Sequence, residues 1–584
     1  MGTKFEPIVK KIDDNINGLK RFHESVLYSA TENEKKILLQ FPTVYIHNWK
    51  KTDEYEVYIG ESNNIIQRTK QHYEAATDVE KWQHQLLNQN ASLYIIGHEH
   101  FNKSMTLDIE NRLMLYMMSV EGVRKIHNLR GNPQSRYYPD NETNDIFQMI
   151  WKDLRKKNKE LFPSESAIKD SAVFKASPLH KLTEEQENIK TKILQRVFES
   201  LNTGRRGQLI FIEGEAGTGK TVLNSSTFYE IFTSAEEPEI QPLNCCMMVN
   251  HDEQIIVYEQ IAQKLGLVDR YGQVVCKPTS FINRHSIENP IDVAFVDEAH
   301  LLLTQGKQSY QGENQLKDII ERARVTVVMF DENQILTTEQ YWESKILNEY
   351  RELSKRQNNF FELKNQLRIK ASEEMVLWID DFTKKQKVST IPHNRGGYEI
   401  NIFESPIDLE QALKEKANDE NHKLSRLIAT YDWEYNSKPP STDRLLKYWE
   451  VMIGKWHKPW NRELEKELSK KEKRICKSLS WAEQPQTIEE IGSTFTIQGF
   501  DLNYAGVILG PSVKYRNGKI VYDPSASYNS KAVRNRTLSD GSKRKFGEEL
   551  IQHEVRVLMT RGVEGLYIYA CDDELREALL QAMK

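Results

Sequence analysis

The eight residues GEAGTGKT, Gly214 to Thr221, carry the most specific chemistry in the chain. They follow the apolar run LIFIEG and precede a helical stretch. In such a turn the main-chain N–H groups around Gly214, Glu215, Ala216, Gly217, Thr218 and Gly219 can wrap phosphates, and the helix start adds a field that favours anions. Lys220 is expected to reach the β- and γ-phosphates, and Thr221 to ligate Mg²⁺. The run DVAFVDEAH then ends a second apolar strand in two acids. Asp297 is expected to hold the same Mg²⁺ through water, and Glu298 to polarise the attacking water. The chemistry implied is hydrolysis of a nucleoside triphosphate, with ATP and Mg²⁺ as the bound pair. A second constellation lies in VYIGESNNIIQRTKQHY, Val57 to Tyr73. Arg68 and His72 stand four residues apart, so they share one helical face, just past the Tyr58-Ile59-Gly60 turn. A solvated helix face is the plain reading. A cation and an imidazole side by side also suit the cutting of a phosphodiester.

The elements that must position these groups fall into blocks. Residues 1–40 read as an amphipathic helical segment. Residues 41–142 hold the strands TVYIHNW, YEVYIG and ASLYIIG and a long helix from Ser104, which is its expected N-cap. Residues 143–180 read as a charged helix and a polar linker. Residues 181–357 alternate apolar strands (LIFIEG, CCMMVN, DVAFVDEAH, VTVVMFDEN) with helical stretches, the pattern of a parallel sheet. Residues 358–584 continue with LSRLIATY, AGVILG and GLYIYA. An insertion at 437–490, rich in Trp, Lys and Glu, reads as an exposed helical hairpin. Within it, GKWHKPWN offers Trp456 or Trp460 for stacking on bases, with tryptophans buried in the insertion at least an equal alternative. The basic segment Val513 to Lys545, with Lys531, Arg534, Arg536, Lys543, Arg544 and Lys545, reads as a mobile loop, either gripping phosphates or simply solvated.

Composition narrows the class. The 584 residues are 39% hydrophobic and 28% charged, which fits a globular protein of three or four domains. A net charge of -5 rules out whole-molecule electrostatic attraction to nucleic acid, so such contacts need local basic grooves. The five cysteines form no CxxC pair, which argues against a zinc site or a disulfide framework. The stretch MGTKFEPIVKKIDDN lacks the apolar core of a signal peptide, and no run approaches a membrane span. A cytoplasmic location without membrane contact is expected.

Several short motifs together resemble the superfamily 1 helicase-type motors. Gln186 in LTEEQ stands where such proteins read adenine. Gln334 in VVMFDENQIL, close to Asp331, resembles the residue that senses the γ-phosphate. Arg368 in FELKNQLR adds a cation. Gln498 and Gly499 in STFTIQGFDL resemble the motif that couples nucleic acid to ATP. Arg561 in VRVLMTRGVEG resembles the arginine finger. The aromatic-rich motif that stacks bases in many of these helicases is not recognisable, so ATP-driven motion is better supported than unwinding.

The front block resembles the GIY-YIG endonucleases over about Phe41 to Tyr138. Thr43 and Val44 replace the family's glycine and isoleucine, whereas Tyr45 is kept. The resemblance implies that Tyr45, Tyr58 or His72 orients and deprotonates water. It also implies that Arg68 neutralises the phosphate and that Glu110 on the later helix binds a divalent metal. The late asparagine is Asn128, with Asn132 as the alternative. The pairing of this module with the ATPase resembles a bacterial Schlafen-group AAA-type family of unknown function, for which the resemblance suggests anti-phage defence.

The expected fold is α/β: a small nuclease domain followed by two RecA-like parallel-sheet lobes. The expected function is an ATP-dependent nucleic-acid motor coupled to a metal-dependent endonuclease. Its partner is nucleic acid, DNA ahead of RNA, and a homo-oligomer or partner protein is compatible. The alternative is a nucleotide-switched oligomeric sensor whose front module binds without cutting.

Overall fold

A computed structural model of the chain describes residues 6–78, 81–87, 90–128, 142–234, 243–306, 310–364, 373–392, 397–419, 421–436, 438, 440, 447–477 and 479–583. The chain forms two compact units. The first comprises residues 1–181 and 258–274, and the second residues 182–257 and 275–584.

Unit 1 is built on a five-stranded sheet. Its strands are β1 (Ile8–Asp13), β2 (Thr43–Lys51), β3 (Glu54–Ser62), β4 (Ser92–Gly97) and β5 (Val123–Ile126), in the order β1-β4-β2-β3-β5. Only β3 and β5 pair in parallel. Residues 8–13 were expected to be helical. They instead pair antiparallel with β4, Ile8 opposite Gly97 and Asp13 opposite Ser92. A long-range strand partner overrides local pattern in this case.

Strand β2 is buried on both faces from Thr43 to Trp49. On one face, Tyr45, Leu93 and Ile95 pack with Leu19, Phe22 and Val26 of α1 (Ile16–Ser29), and with Leu38 of α2 (Glu32–Leu39). Two helices carry the candidate chemistry. Helix α3 (Ile65–Ala75) is capped by Asn64, whose side chain accepts from Gln67 N. Helix α4 (Lys103–Met118) is capped by Asn102, two residues earlier than the expected Ser104, through a bond from Met105 N. At its far end the buried Lys264 donates to Met118 O and Val120 O, both at 2.8 Å. Those two carbonyls thus find a donor where the helix can supply none. Helix α5 (Thr143–Lys157) follows, as the sequence implies. The stretch read as linker holds two short helices, Glu165–Asp170 and Ala172–Ala176.

Unit 2 contains two parallel sheets. The first lobe has β6 (Gln208–Gly214), β7 (Cys245–Met248), β8 (Val275–Cys276), β9 (Ile291–Val296), β10 (Ala323–Phe330) and β11 (Phe360–Leu363), in the order β11-β6-β10-β9-β7-β8. Helix α6 (Glu184–Asn202) precedes β6, and α7 (Lys220–Ser234) follows it. The second lobe orders its strands β12 (Glu399–Ile402), β21 (Gly562–Ala570), β16 (Leu502–Leu509) and β13 (Arg426–Ala429). Helix α8 (Glu373–Thr383) precedes these strands and α9 (Pro406–Ala417) covers them. Helix α10 (Gly547–Met559) leads into β21. The α/β class and the parallel sheets are as expected. None of the described helices is long and apolar enough to cross a membrane.

Two expectations for the second lobe are corrected. The insertion contains an antiparallel hairpin, β14 (Glu450–Ile453) with β15 (Trp456–Pro459), in place of a helical one. Trp460 is fully buried in the lobe's core and cannot stack on a base, and Trp456 donates its indole N–H to Glu410 at 2.8 Å. The segment read as a mobile loop forms the hairpins β17 (Val513–Arg516) with β18 (Lys519–Tyr522) and β19 (Arg536–Thr537) with β20 (Lys543–Arg544). Arg534 donates to Thr338 Oγ1 at 3.0 Å, and the buried Arg536 donates to Thr304 O at 3.3 Å. These two cations fasten the second lobe to the first rather than gripping phosphate. Lys543, Arg544 and Lys545 remain exposed.

Candidate active sites

The first candidate site lies in unit 2. Strands β6, β10 and β9 are neighbours in a parallel sheet, so their carboxyl ends open side by side, where such sheets bind ligands. The phosphate-loop residues, Asp331 and Asp297 follow directly from those ends. Lys220 Nζ donates to Gly214 O at 2.6 Å and Glu215 O at 2.8 Å, and stands 3.6 Å from the Asp331 carboxylate. Burial alone would push the Asp331 carboxyl up. Lys220, His300 and the Gln334 amide outweigh it and hold the group below its ordinary value. Thr221 Oγ1 donates to Asp297 Oδ2 at 3.2 Å, so the hydroxyl and carboxylate expected to share Mg²⁺ already adjoin. This donor set, a hydroxyl beside an acid with a lysine nearby, fits a magnesium–triphosphate pair.

Glu298 adopts φ 46° and ψ 49°, a left-handed conformation that is uncommon for a side chain of this kind and recurs where function demands it. Its carboxylate lies 3.3 Å from His300 Nε2 and 3.5 Å from the Gln254 amide.

Gln186 is buried. Its amide N–H donates to Thr218 O at 3.2 Å, and its carbonyl accepts from Thr183 N at 3.0 Å in a capping box. It braces the back of the phosphate loop. Gln334 is one joint between the lobes. It donates to Asp331 Oδ2 at 2.8 Å and accepts from Arg561 at 3.2 Å, and its main-chain carbonyl accepts from Gln498 at 3.1 Å. Gly499 holds φ 86°, and a Cβ there would meet the Gln254 amide at 2.3 Å. Arg561 is fully enclosed and also donates to Val557 O at 2.9 Å and Phe500 O at 3.3 Å. Arg368 and Asn132 lie outside the described residues.

The second candidate site lies in unit 1. In the β2–β3 register Tyr45 stands opposite Gly60. The Tyr45 ring lies over that glycine, where a Cβ would meet the phenol oxygen at 2.5 Å. The close approach lets Tyr45 Oη reach His72 Nε2 at 3.1 Å, with both side chains buried. Burial raises the Tyr45 phenol, Tyr58 adds to the rise, and Arg68 opposes it. Burial, then the charges of His47 and Arg68, pull His72 down to about 3. A neutral phenol therefore faces a neutral imidazole, and Tyr45 is the donor. Arg68 is partly exposed and donates to Gln71 Oε1 at 3.3 Å, and its charge favours the ionised form of the Tyr45 phenol. Tyr58 stacks on Trp82 with ring centres 4.0 Å apart.

Glu110 is buried and belongs to a separate pair. Asn128 Nδ2 donates to Glu110 Oε1 at 2.9 Å and to Ile59 O at 2.7 Å. The asparagine thereby ties α4 to β3 next to Tyr58 and Gly60. Among the described residues no group of three or more His, Cys, Asp or Glu is placed to hold a metal ion.

The sequence reading missed Asp14 and His47. His47 is fully buried, bonds Asp14 Oδ2 through Nδ1 at 2.6 Å, and leaves Nε2 without a partner among Tyr45, Tyr58 and His72. Tyr73 Oη donates to Asp14 Oδ1 at 2.9 Å. The signal for His47 was its place two residues after Tyr45, on the same strand face. Asp14 had none, because the strand that leads to it was read as helix.

Two predictions arise here. Gly60→Ala forces the Tyr45 ring aside. An overpacked site of this kind loses about 1–3 kcal/mol, which urea unfolding of wild type and variant will read, and an unchanged midpoint would contradict the packing account. The second concerns acid. The folded pKa of His72 is about 3 and the unfolded value is higher, so the unfolded chain binds more protons between them. Stability from this group therefore falls as pH drops through that window, at up to about 1.4 kcal/mol per pH unit. Urea midpoints at pH 7 and pH 5 should converge in His72→Gln relative to wild type, and equal pH slopes would refute the assignment.

Comparison with known proteins adds the following. Residues 207–572 match the Schlafen group 3 DNA/RNA helicase domain. An uncharacterised protein of Saccharomyces cerevisiae is 31% identical, covering 69% of this chain and 91% of its own length. The Pif1 helicase from Candida albicans is 12% identical over 68% of this chain and 97% of its own, with a TM-score of 0.27. A DEAD box protein from Methanococcus jannaschii is 12% identical over 69% of this chain and 94% of its own, with a TM-score of 0.24. Both structural likenesses are weak over the whole chain.

Proposed function

Because the chain belongs to the Schlafen group 3 DNA/RNA helicase family, we propose that its helicase-type ATPase drives motion on nucleic acid and is coupled to phosphodiester cleavage by a GIY-YIG-type module in unit 1. The observation that carries the cutting half is the Tyr45–Gly60–His72 arrangement. A glycine is needed there because a tyrosine hydroxyl occupies the space of its side chain. That is the reason such chemistry would pair a tyrosine with a glycine across two strands.

In this reading Tyr45, or Tyr58 or His72 through a hydrogen bond, orients and deprotonates the attacking water. Arg68 lies beside both phenols and neutralises charge on the phosphate. Glu110, oriented by Asn128, would hold a divalent cation, which would supply charge stabilisation at the leaving oxygen. In unit 2, Lys220 binds the triphosphate, and Thr221 with Asp297 would hold Mg²⁺, which neutralises phosphate charge when bound. Glu298 orients the attacking water. Gln334 passes the phosphate state to Arg561 and Gln498 in the second lobe.

DNA is taken ahead of RNA as the polymer, and defence against phage rests on the family resemblance alone. The test is incubation of the full chain with labelled single- and double-stranded DNA and RNA, with Mg²⁺, with and without ATP. Shortened products are expected, and their yield is expected to depend on ATP. Intact polymer under every condition would refute the cutting half.

A further inference from the structure

A carboxylate of the phosphate loop is held by two cations from the opposite lobe. Glu215 Oε2 accepts from the Arg556 guanidinium at 2.6 Å, and Glu215 Oε1 accepts from Lys384 Nζ at 2.7 Å. Arg556 lies on α10, and its other guanidinium nitrogen is bound by Asp380 on α8. Lys384 follows α8 directly and stands 3.6 Å from Asp380. Arg556 is buried, whereas Glu215 is about half exposed, at 45%. The main-chain carbonyl of Glu215 is itself 2.8 Å from the Lys220 ammonium, the group that must reach the phosphates. Arg556 also contributes to lowering the Asp331 carboxyl beside Lys220. The Arg556 cation is therefore poised over the phosphate loop. Arg561, five residues on, points into main-chain carbonyls and Gln334 instead.

We propose that Arg556, assisted by Lys384, is the second-lobe cation that meets the terminal phosphate of bound ATP, and that Glu215 is a built-in competitor holding both cations until ATP arrives. This rests on reading the cleft as a nucleoside-triphosphate site. The terminal phosphate carries more negative charge than a carboxylate and three oxygens in place of two, so it wins the planar guanidinium. ADP lacks that group and leaves the clasp in place. The exposed Glu215 side chain can then turn to solvent. The exchange makes ATP, and not ADP, the ligand that rearranges the lobe contact.

The test uses the full chain as wild type, Glu215→Gln, Arg556→Gln and the double variant. Hydrolysis kinetics are measured with ATP, and equilibrium binding with ADP and with AMP-PNP. Arg556→Gln is expected to lower kcat by about 10³–10⁵-fold with ADP affinity unchanged, the effect of losing a cation that touches the transferring phosphate. Glu215→Gln is expected to tighten AMP-PNP by about tenfold, leave ADP unchanged, and have no effect once Arg556 is also replaced. Hydrolysis by Arg556→Gln within about fivefold of wild type would overturn the proposal. So would a Glu215→Gln variant that shifts ADP and AMP-PNP equally. If thermal unfolding shows Arg556→Gln to be unfolded, the ADP and AMP-PNP shifts of Glu215→Gln decide alone. Wild type that binds neither nucleotide would remove the triphosphate reading itself, and this proposal with it.

Discussion

Lys220→Ala is expected to lower the rate of ATP hydrolysis by about 10²–10³-fold or more, the usual cost of removing one preorganised charge from a developing anion. Among the described residues the lysine's contacts are with the phosphate loop and Asp331. Its ammonium donates to Gly214 O and Glu215 O, two carbonyls at the rim of the phosphate loop. Alanine leaves those carbonyls to water, and a thermal midpoint read beside the rate separates lost chemistry from lost stability. It also leaves Asp331 without its nearest cation. The Asp331 carboxyl should then rise, because burial no longer meets the same opposing charge. Steady-state phosphate release with and without nucleic acid reads the rate. Hydrolysis at the wild-type rate would mean that this cleft does not handle the triphosphate. If motion and cutting are coupled, ATP-dependent product formation falls in the same variant.

The second large effect is on cutting. Glu110→Ala removes the sole carboxylate proposed to hold the divalent cation in unit 1. A Lewis acid at the leaving oxygen is worth several kcal/mol, so cleavage should fall by about 10²–10⁴-fold. Alanine also strands Asn128, which donates to Glu110 Oε1 and Ile59 O. Glu110→Gln separates these causes. The amide keeps an oxygen for Asn128 and the shape of the side chain, but loses the charge that attracts the cation. Both variants should lose cutting, and only the alanine variant should lose stability, by about 1 kcal/mol for one buried hydrogen bond. The readouts are end-labelled DNA and RNA products with Mg²⁺, and urea midpoints. Product at the wild-type rate from Glu110→Gln would refute a metal site at this residue.

The part of this protein legible in its sequence is the part written in contiguous residues. The phosphate loop needs a strand, a glycine turn and a helix in immediate succession, and β6, residues 214–221 and α7 follow in that order. The strand–acid run at β9 and the Arg68–His72 spacing on α3 are equally local, because a period of 3.6 or 2 decides which side chains share a face. Glu110 and Asn128 were reachable only through a family resemblance. The insertion and the basic segment were misread because composition says how polar a stretch is, not what it packs against. Trp460 and Arg536 are buried by partners distant in the chain.

Tertiary structure alone decided three further things. It gave β1 its partner, some ninety residues away in the chain (Ile8 opposite Gly97), and so carried Asp14 to His47. It turned Gln186 inward as a brace and Arg561 into a lobe joint. It set Arg556 against Glu215 across 341 positions. No periodicity encodes such meetings. Which residue a side chain faces across two sheets depends on strand order and register, and these are settled only when the whole core closes and every buried polar group must find a partner.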